Sequence, residues 1–354
     1  MLQNIKIEGF KSIKTLDLKL SPINLLIGSN GVGKSNFISF FKLVNNIYEQ
    51  RLQQYSLKSG VDNLLHYGRK NTAEIKGYLD FGNNAYEFLL FPSDDGTLFI
   101  GTEDSILPGN TIYQKSYSSD FIKESTIKNS ATIRNKYLRE HLVSYKIYHF
   151  HDTSSSAPLR SFADISNNRI LKEEGENLPA FLYYLQEKHP KHFKMIEMVV
   201  KSVFPFFDRF DLAPFFLDEN KIELEWYEKE HPEHPFYARH FSDGTLRFIA
   251  LTTLFLQPNL PKTIIIDEPE LGLHPFAISK LAGMIKKASV HSQIIIATQS
   301  VNLVNEFSAD DIIVANRENN QTVFKRQSEE SLKNWLEEYS IGELWEKNVI
   351  GGRL

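Results

Sequence analysis

The 354-residue chain has no cysteine, which excludes a disulfide framework and any thiolate metal site and gives no hint of an oxidising compartment. It has no apolar run approaching the roughly 18 residues of a membrane span. Its opening, MLQNIKIEGFKSIK, alternates apolar and charged residues and lacks the long apolar region of a signal peptide. The expectation is a soluble, cytoplasmic protein with no membrane partner. Positive charge is not in excess either: 40 Lys and Arg stand against 44 Asp and Glu, a formal net charge of −4. That balance argues against a globally basic nucleic-acid coat and leaves room for a local basic face. No internal repeat, low-complexity tract or long heptad array is present. Apolar residues are plentiful, with 42% hydrophobic and 12% aromatic content, ample for one large α/β domain or two smaller ones.

The chain reads in three stretches. In residues 1–115, NIKIE (4–8) and LDLKL (16–20) alternate like half-buried strands, and INLLI (23–27) is a short apolar run ending at Gly28. Helical spacing follows from Asn36 to Tyr48, and Gly82-Asn83-Asn84 reads as a hairpin turn between two further strands. Residues 116–207 read as a mostly helical insertion, whose segment LPAFLYYLQEKHPKHFKMIEMVVKSVF is interrupted by Pro190 and stopped by Pro205. In 208–354 strands return, and the apolar runs KTIIIDEPE and HSQIIIATQS have the texture of buried parallel strands.

Residues 28–35, Gly28-Ser29-Asn30-Gly31-Val32-Gly33-Lys34-Ser35, match G-x-x-x-x-G-K-[ST] without deviation, after a strand-like run and at the opening of a helix. The glycines let backbone amides turn towards phosphate oxygens, and the helix N-terminus adds positive potential. Lys34 reaches the terminal phosphates and Ser35 can ligate magnesium; Asn36 continues the helix start. Further along, TIIIDEPE places Asp267 and Glu268 at the carboxyl end of an apolar strand, where ligands of α/β sheets collect. Asp267 would hold Mg2+, directly or through water, and Glu268 would orient and deprotonate an attacking water. On its own, an Asp-Glu pair also fits a solvated helix start.

Together, GFKSIKTLDLKLSPINLLIGSNGVGKSNFI, DEPELGLHP and ATQS resemble the ABC-type ATPase heads of the RecF/SMC class, in particular small stand-alone bacterial AAA-family ATPases. The resemblance runs from residue 1 to about residue 307 and implies an α/β P-loop NTPase fold of ABC-ATPase type over residues 1–354: one head, with a mixed central sheet and a helical insertion. It implies ATP and Mg2+ as ligands. In that class a signature motif precedes the acidic strand, and HFSDGTLRFIAL occupies the place, Ser242 and Gly244 matching the S-G-G core with Asp243 as the departure. A serine hydroxyl and a glycine amide at a helix N-terminus form an anion site, although the same residues fit a plain Ser242-capped helix. The family reading is that this helix closes over ATP held by a second copy, giving a homodimer joined by an ATP sandwich, with LGLHP (271–275) running along the interface.

The switch residue after the next strand is usually histidine in this class, and here it is Gln299. An amide can hydrogen-bond to a γ-phosphate oxygen but does not take up a proton at neutral pH, so slow hydrolysis is the expectation. Gln299 also fits as a simple polar strand-end residue. Lys11 in GFKS would approach the α-phosphate, or else serve as a solvated strand-end lysine, and HYGRK (66–70) lies in the Q-loop region without a decisive glutamine. About 200 residues separate Ser35 from Ser242, too few for the long coiled coil of SMC proteins. Within them, Lys128, Arg134, Lys136 and Arg139 can gather on one side to meet DNA, RNA or an acidic protein, or form an ordinary solvated face. No nuclease-like carboxylate cluster stands out, and the resemblance implies a separately encoded effector, a nuclease or toxin, of the kind controlled in anti-phage systems. Two alternatives stay open: a non-catalytic, ATP-dependent interaction scaffold and the nucleotide-binding subunit of a transporter.

Overall fold

The structure, a computed structural model, describes residues 1–107, 122–154 and 156–353. In chain order the elements are β1 (Asn4–Phe10), β2 (Ile13–Lys19), β3 (Ile23–Ile27), α1 (Lys34–Tyr48), α2 (Leu52–Ser59), α3 (Val61–Leu64), β4 (Ile75–Asp80), β5 (Ala85–Pro92) and β6 (Leu98–Ile106). Then come α4 (Ile133–Leu142), β7 (Ile147–Tyr148), β8 (Ala163–Asp164), α5 (Leu178–Lys188), α6 (Pro190–Val203), β9 (Phe207–Asp211), β10 (Lys221–Ile222), β11 (Glu225–Glu228) and β12 (Phe236–Tyr237). The remainder is α7 (Asp243–Leu256), β13 (Thr263–Asp267), α8 (Pro275–Ala288), β14 (Gln293–Ala297), α9 (Val301–Val304), β15 (Ile312–Glu318), β16 (Gln321–Arg326), α10 (Glu329–Leu336) and α11 (Ile341–Glu346). Of the expected helical insertion, residues 116–121 lie outside the described residues, and the rest carries α4, α5 and α6 with the two-residue strands β7 and β8.

The chain divides into two compact units, the first made of residues 1–147, 262–265 and 292–354. It contains an antiparallel five-stranded sheet ordered β2-β1-β4-β5-β6. The alternation read in the sequence is its cause: Ile5 and Ile7 of β1 are buried while Lys6 and Glu8 face solvent. The hairpin between β4 and β5 turns at 81–84, where the Phe81 amide donates to the Asn84 carbonyl and the Gly82 amide to Asp80 Oδ1 (2.7 Å). A six-stranded sheet runs β16-β15-β3-β14-β13-β7. In it β3 is wholly buried and parallel to both β14 and β15, while β16 is antiparallel, so the sheet is mixed. The buried Asn24 of β3 is matched in place by the Ser21 backbone on both sides of its amide, through Nδ2 to the Ser21 carbonyl and Oδ1 from the Ser21 amide. Helix α1 lies between the sheets with an aromatic-rich face. Phe40 meets Phe10 edge-on and stacks near Phe88 of the antiparallel sheet, and Phe37 meets Phe324 of β16.

The second unit comprises residues 148–261 and 266–291. Helices α6, α7 and α8 pack in sequence beside a three-stranded sheet ordered β12-β11-β9 and a two-stranded sheet of β10 and β8. Its core centres on Trp226 of β11, whose ring stacks on Phe241 at 4.2 Å and also contacts Phe207 and Phe236. Pro190 is the first residue of α6 and not an interior break. Proline tolerates that position because the amide it lacks would have no helical partner there, and His189 before it is non-helical at φ −136°. Among the described residues no helix is long and apolar enough to cross a membrane.

Candidate functional site: a glycine cradle and its neighbouring cavity

In the first unit, β3 runs out at Ile27 and the chain turns through 28–33 into α1. Gly33, at φ 113°, is the residue from which the helix departs. A Cβ there would lie 2.2 Å from Thr322 Oγ1 and 2.6 Å from Ser12 Oγ, so both backbone angle and space demand glycine. Those two hydroxyls are the braces of the turn. Thr322 Oγ1 donates to the Val32 carbonyl at 2.6 Å, and Asn36 Nδ2 donates to Ser12 Oγ at 2.7 Å. No side-chain hydrogen bond from the N-cap residue Gly33 caps α1, and its own first turn holds no acidic residue, so the helix itself supplies no negative charge at its positive end. Lys34 is buried, and its ammonium donates to the Gly28 carbonyl at 2.6 Å and the Ser29 carbonyl at 3.0 Å, which draws one positive charge into the mouth of the loop. Ser35 is exposed beside it.

Parallel pairing sets the next residue. Ala297 of β14 pairs with Leu26 of β3, and the Thr298 amide donates to the Leu26 carbonyl, so Gln299 and Gly28 leave neighbouring strands at the same carboxyl edge. Gln299 is half-buried, and Ser300 after it caps α9.

A cavity of about 400 Å³ opens against the first turn of α1, lined by Lys11, Ser12, Asn36, Leu64, Tyr67 and Arg317 among others. Lys11 and Tyr67 are both left-handed, at φ 49° and 57°, conformations that non-glycine residues hold only where the surroundings enforce them. Here the enforcement is visible. The Lys11 amide donates to the Leu64 carbonyl, the His66 amide donates to the Gly9 carbonyl, and His66 Nδ1 lies 2.7 Å from the Lys11 carbonyl. The Tyr67 hydroxyl accepts from Arg317 and donates to the Asn320 carbonyl. Burial pushes the Lys11 ammonium below its ordinary pKa, and the charge of Lys42 adds to the effect. The HYGRK segment therefore supplies Tyr67 to the wall of this cavity, and His66 braces the Lys11 backbone behind it.

In the second unit, Asp267 ends β13, and Glu268 follows at φ 42°, again a left-handed backbone on a residue type that rarely adopts it. Both side chains are half-buried. Ser242 is the N-cap of α7, accepting from the Thr245 amide at 3.2 Å, and its hydroxyl is also 2.7 Å from Thr245 Oγ1. Gly244 abuts the loop after Glu268: a Cβ at Gly244 would come within 2.3 Å of the Gly272 carbonyl. Asp243, the departure from the motif, is answered by Arg160, whose guanidinium is 2.9 Å from Asp243 Oδ1 and donates to the Thr153, Ala238 and Phe241 carbonyls. A second arginine, Arg247 on α7, is buried and donates to the Phe150, His151 and Leu271 carbonyls. Burial lowers its pKa, which Asp243 and Glu270 oppose.

The structure thus groups Gly28–Asn36, Gln299 and Lys11 within the first unit, and Asp267, Glu268, Ser242 and Gly244 within the second. Sequence reasoning missed Ser12, Arg317 and Thr322 around the cradle, Arg160 beside the Ser242 helix and Arg247 on it, and it marked the HYGRK segment without singling out Tyr67. Two of the four basic residues of the insertion are engaged inside the fold: Lys128 pairs with Glu49, and Arg139 donates to the Lys128 carbonyl, while Arg134 and Lys136 are exposed.

Comparison with known proteins matches residues 23–305 to the family model described as "AAA domain, putative AbiEii toxin, Type IV TA system". No curated protein matches the chain in sequence. Among solved structures, it is similar to an Smc head bound to the C-terminal winged-helix domain of ScpA, with 18% identity, a TM-score of 0.61, and coverage of 94% of this chain and 99% of that one. It is also similar to an Smc head with an extended coiled coil bound to the C-terminal domain of ScpA, derived from Pyrococcus furiosus, with 16% identity, a TM-score of 0.57, and coverage of 95% and 98%. At these identities the likeness establishes the fold, an α/β P-loop NTPase head of the ABC and SMC type.

Proposed function

The chain belongs to this AAA-domain family, and from that premise we propose that it binds ATP with Mg2+ and hydrolyses it slowly, using the nucleotide state to control assembly with a second copy and with a separately encoded partner. The observation that carries the reading is the Lys34 ammonium held over the Gly28 and Ser29 carbonyls at an uncapped helix N-terminus, next to a cavity walled by Lys11 and Tyr67. A triphosphate fits the cradle of Gly28, Ser29, Asn30, Gly31, Val32, Gly33, Lys34, Ser35 and Asn36, and the cavity suits a nucleoside. The Ser35 hydroxyl of the first unit and the Asp267 carboxylate of the second are each a hard oxygen donor of the kind magnesium takes alongside water and phosphate oxygens, so each suits that ion by its chemistry. When bound, Mg2+ would neutralise phosphate charge. Glu268 is assigned the orientation and deprotonation of the attacking water, and Gln299 a hydrogen bond to the γ-phosphate.

Ser242 and Gly244 are assigned to the nucleotide of a second copy, in a head-to-tail homodimer. The Arg160 pairing supports that role, because it offsets the Asp243 charge that would otherwise repel phosphate. The solved Smc heads are bound to a domain of another protein, which supports a protein partner here. A nuclease or toxin effector, as in anti-phage defence, is the partner class we favour over direct DNA or RNA binding, since only Arg134 and Lys136 of the insertion's basic set stand exposed. Gln299 favours one second reading, a non-catalytic ATP-dependent scaffold. Calorimetry with Mg-ATP and a phosphate-release assay test both. Binding that is lost in Lys34→Ala, with slow phosphate release by the native chain, is the expected result; binding without release selects the scaffold, and unchanged affinity in Lys34→Ala refutes the cradle assignment.

A further inference from the structure

The backbone at the start of the cradle is tied to a segment more than 300 residues away in sequence. The Ser29 amide donates to the Gly352 carbonyl at 2.7 Å, and the Gly352 amide donates to Asn316 Oδ1 of β15 at 2.6 Å. Gly352 is buried, and a Cβ on it would lie 3.0 Å from both Trp345 Nε1 and Val314 Cγ1 and 3.4 Å from Gly28 Cα, so the segment is packed directly on the loop. The same segment is fastened at its other end. In α11 the Gly342 amide donates to Asn305 Oδ1 at 2.7 Å, and Asn305 is the C-cap of α9, the helix that begins immediately after Gln299 and Ser300. Between these anchors the chain doubles back tightly: the Val349 amide donates to the Leu344 carbonyl and the Arg353 amide to Asn348 Oδ1.

From this we infer that residues 341–352 form a strap that positions the cradle arm Gly28–Ser29 and couples it mechanically to the helix following Gln299. The inference rests on the nucleotide-binding reading of the cradle for its functional consequence, and on geometry alone for the coupling. The arm is gripped from two directions, its carbonyls by Lys34 and its Ser29 amide by Gly352. An ammonium that turns towards a phosphate loosens its grip on the two carbonyls, and the strap then keeps the arm in place. A displacement of α9 would reach Ser29 along an unbroken line of contacts, Asn305 to Gly342, α11, and Gly352 to Ser29, and a change at Ser29 on perturbing Asn305 is what makes that line a coupling. Gly352, Asn316 and Asn305 are positioning residues in this scheme.

Amide hydrogen exchange of the full-length, nucleotide-free protein, resolved at Ser29, tests the strap independently of nucleotide. Asn316→Ala should accelerate Ser29 exchange about fivefold or more, the scale of one hydrogen bond's worth of protection, while Asn316→Asp, which keeps an acceptor oxygen, should restore protection. Asn305→Ala should also accelerate Ser29 exchange, although it touches only the far anchor. Unchanged Ser29 exchange in Asn316→Ala overturns the positioning role, and acceleration confined to 301–305 in Asn305→Ala overturns the coupling. Mg-ATP calorimetry on the same variants should show an affinity loss of about fivefold for Asn316→Ala. If the native protein binds no ATP, the nucleotide reading fails while the exchange result still decides the strap; if it binds and Asn316→Ala binds equally well, the strap has no role in ligand binding.

Discussion

Replacing Arg247 by methionine probes how the Ser242 helix is held to the loop after Glu268. Methionine keeps most of the aliphatic stem and removes the guanidinium that now serves the Phe150, His151 and Leu271 carbonyls. Two effects oppose each other. A buried carbonyl left without a donor costs about 1–3 kcal/mol, whereas removing a buried charge relieves a desolvation penalty and favours the apolar variant. Phe150 is 3% exposed and its carbonyl partner, Arg247 Nε, lies in the interior, whereas Leu271 is 49% exposed and its carbonyl can turn to water. The cost therefore comes mainly from Phe150, with a smaller part from the half-buried His151. A loss of about 2–4 kcal/mol of stability is the expected balance, read from urea unfolding followed by far-UV circular dichroism. Because Gly244 closes on the Gly272 carbonyl and Arg247 fastens the adjacent Leu271, turnover should fall more than Mg-ATP affinity. A stability change under about 1 kcal/mol together with native turnover would show that these bonds are dispensable and that the loop is held by packing alone.

Two further outcomes are expected. Glu268→Gln keeps shape and one hydrogen bond but removes the carboxylate, so Mg-ATP binding should survive while phosphate release drops by at least about 100-fold, and the ATP-bound variant should shift to a dimer in sedimentation; normal turnover would remove Glu268 from the base role, and an inactive monomer would remove the ATP sandwich. His141, stacked on Phe81 at 4.5 Å, is lowered to about 4 chiefly by burial, then by the N-terminal amine and Lys262, against which Glu140 acts. It is neutral in the folded chain and ordinary, near 6.5, in the unfolded one, so its stabilising contribution is present above about pH 6.5 and is lost as pH falls towards 4. His141→Phe should keep the stack and flatten that acid limb in urea midpoints taken from pH 7 to 4.5, and parallel slopes for the two proteins would refute the assignment.

The cradle was legible because its chemistry is local: the glycines, Lys34 and Ser35 that shape it are contiguous, and the apolar run before them and the helical spacing after them announce a strand–turn–helix. The alternating strands of the antiparallel sheet and the buried runs at 23–27 and 293–297 were legible for the same reason, since side-chain period reports which faces are covered. What surrounds the cradle was not. Thr322 and Gly352 reach residues 28–33 from more than 280 positions away, and Arg160 meets Asp243 across 83 positions. None of these residues belongs to a pattern that a window of sequence can register. A threonine in a strand, a glycine in a turn and an arginine in a short loop acquire their roles only when strand order and register bring a lone carbonyl, amide or carboxylate within hydrogen-bond reach. Residue type and short-range spacing thus determined the strand–turn–helix and its candidate phosphate-binding groups, whereas the parallel pairing of β3 with β14 and β15 decided which distant backbone and side-chain groups hold them in place, because a buried polar group must find its partner wherever the fold, not the chain, puts one.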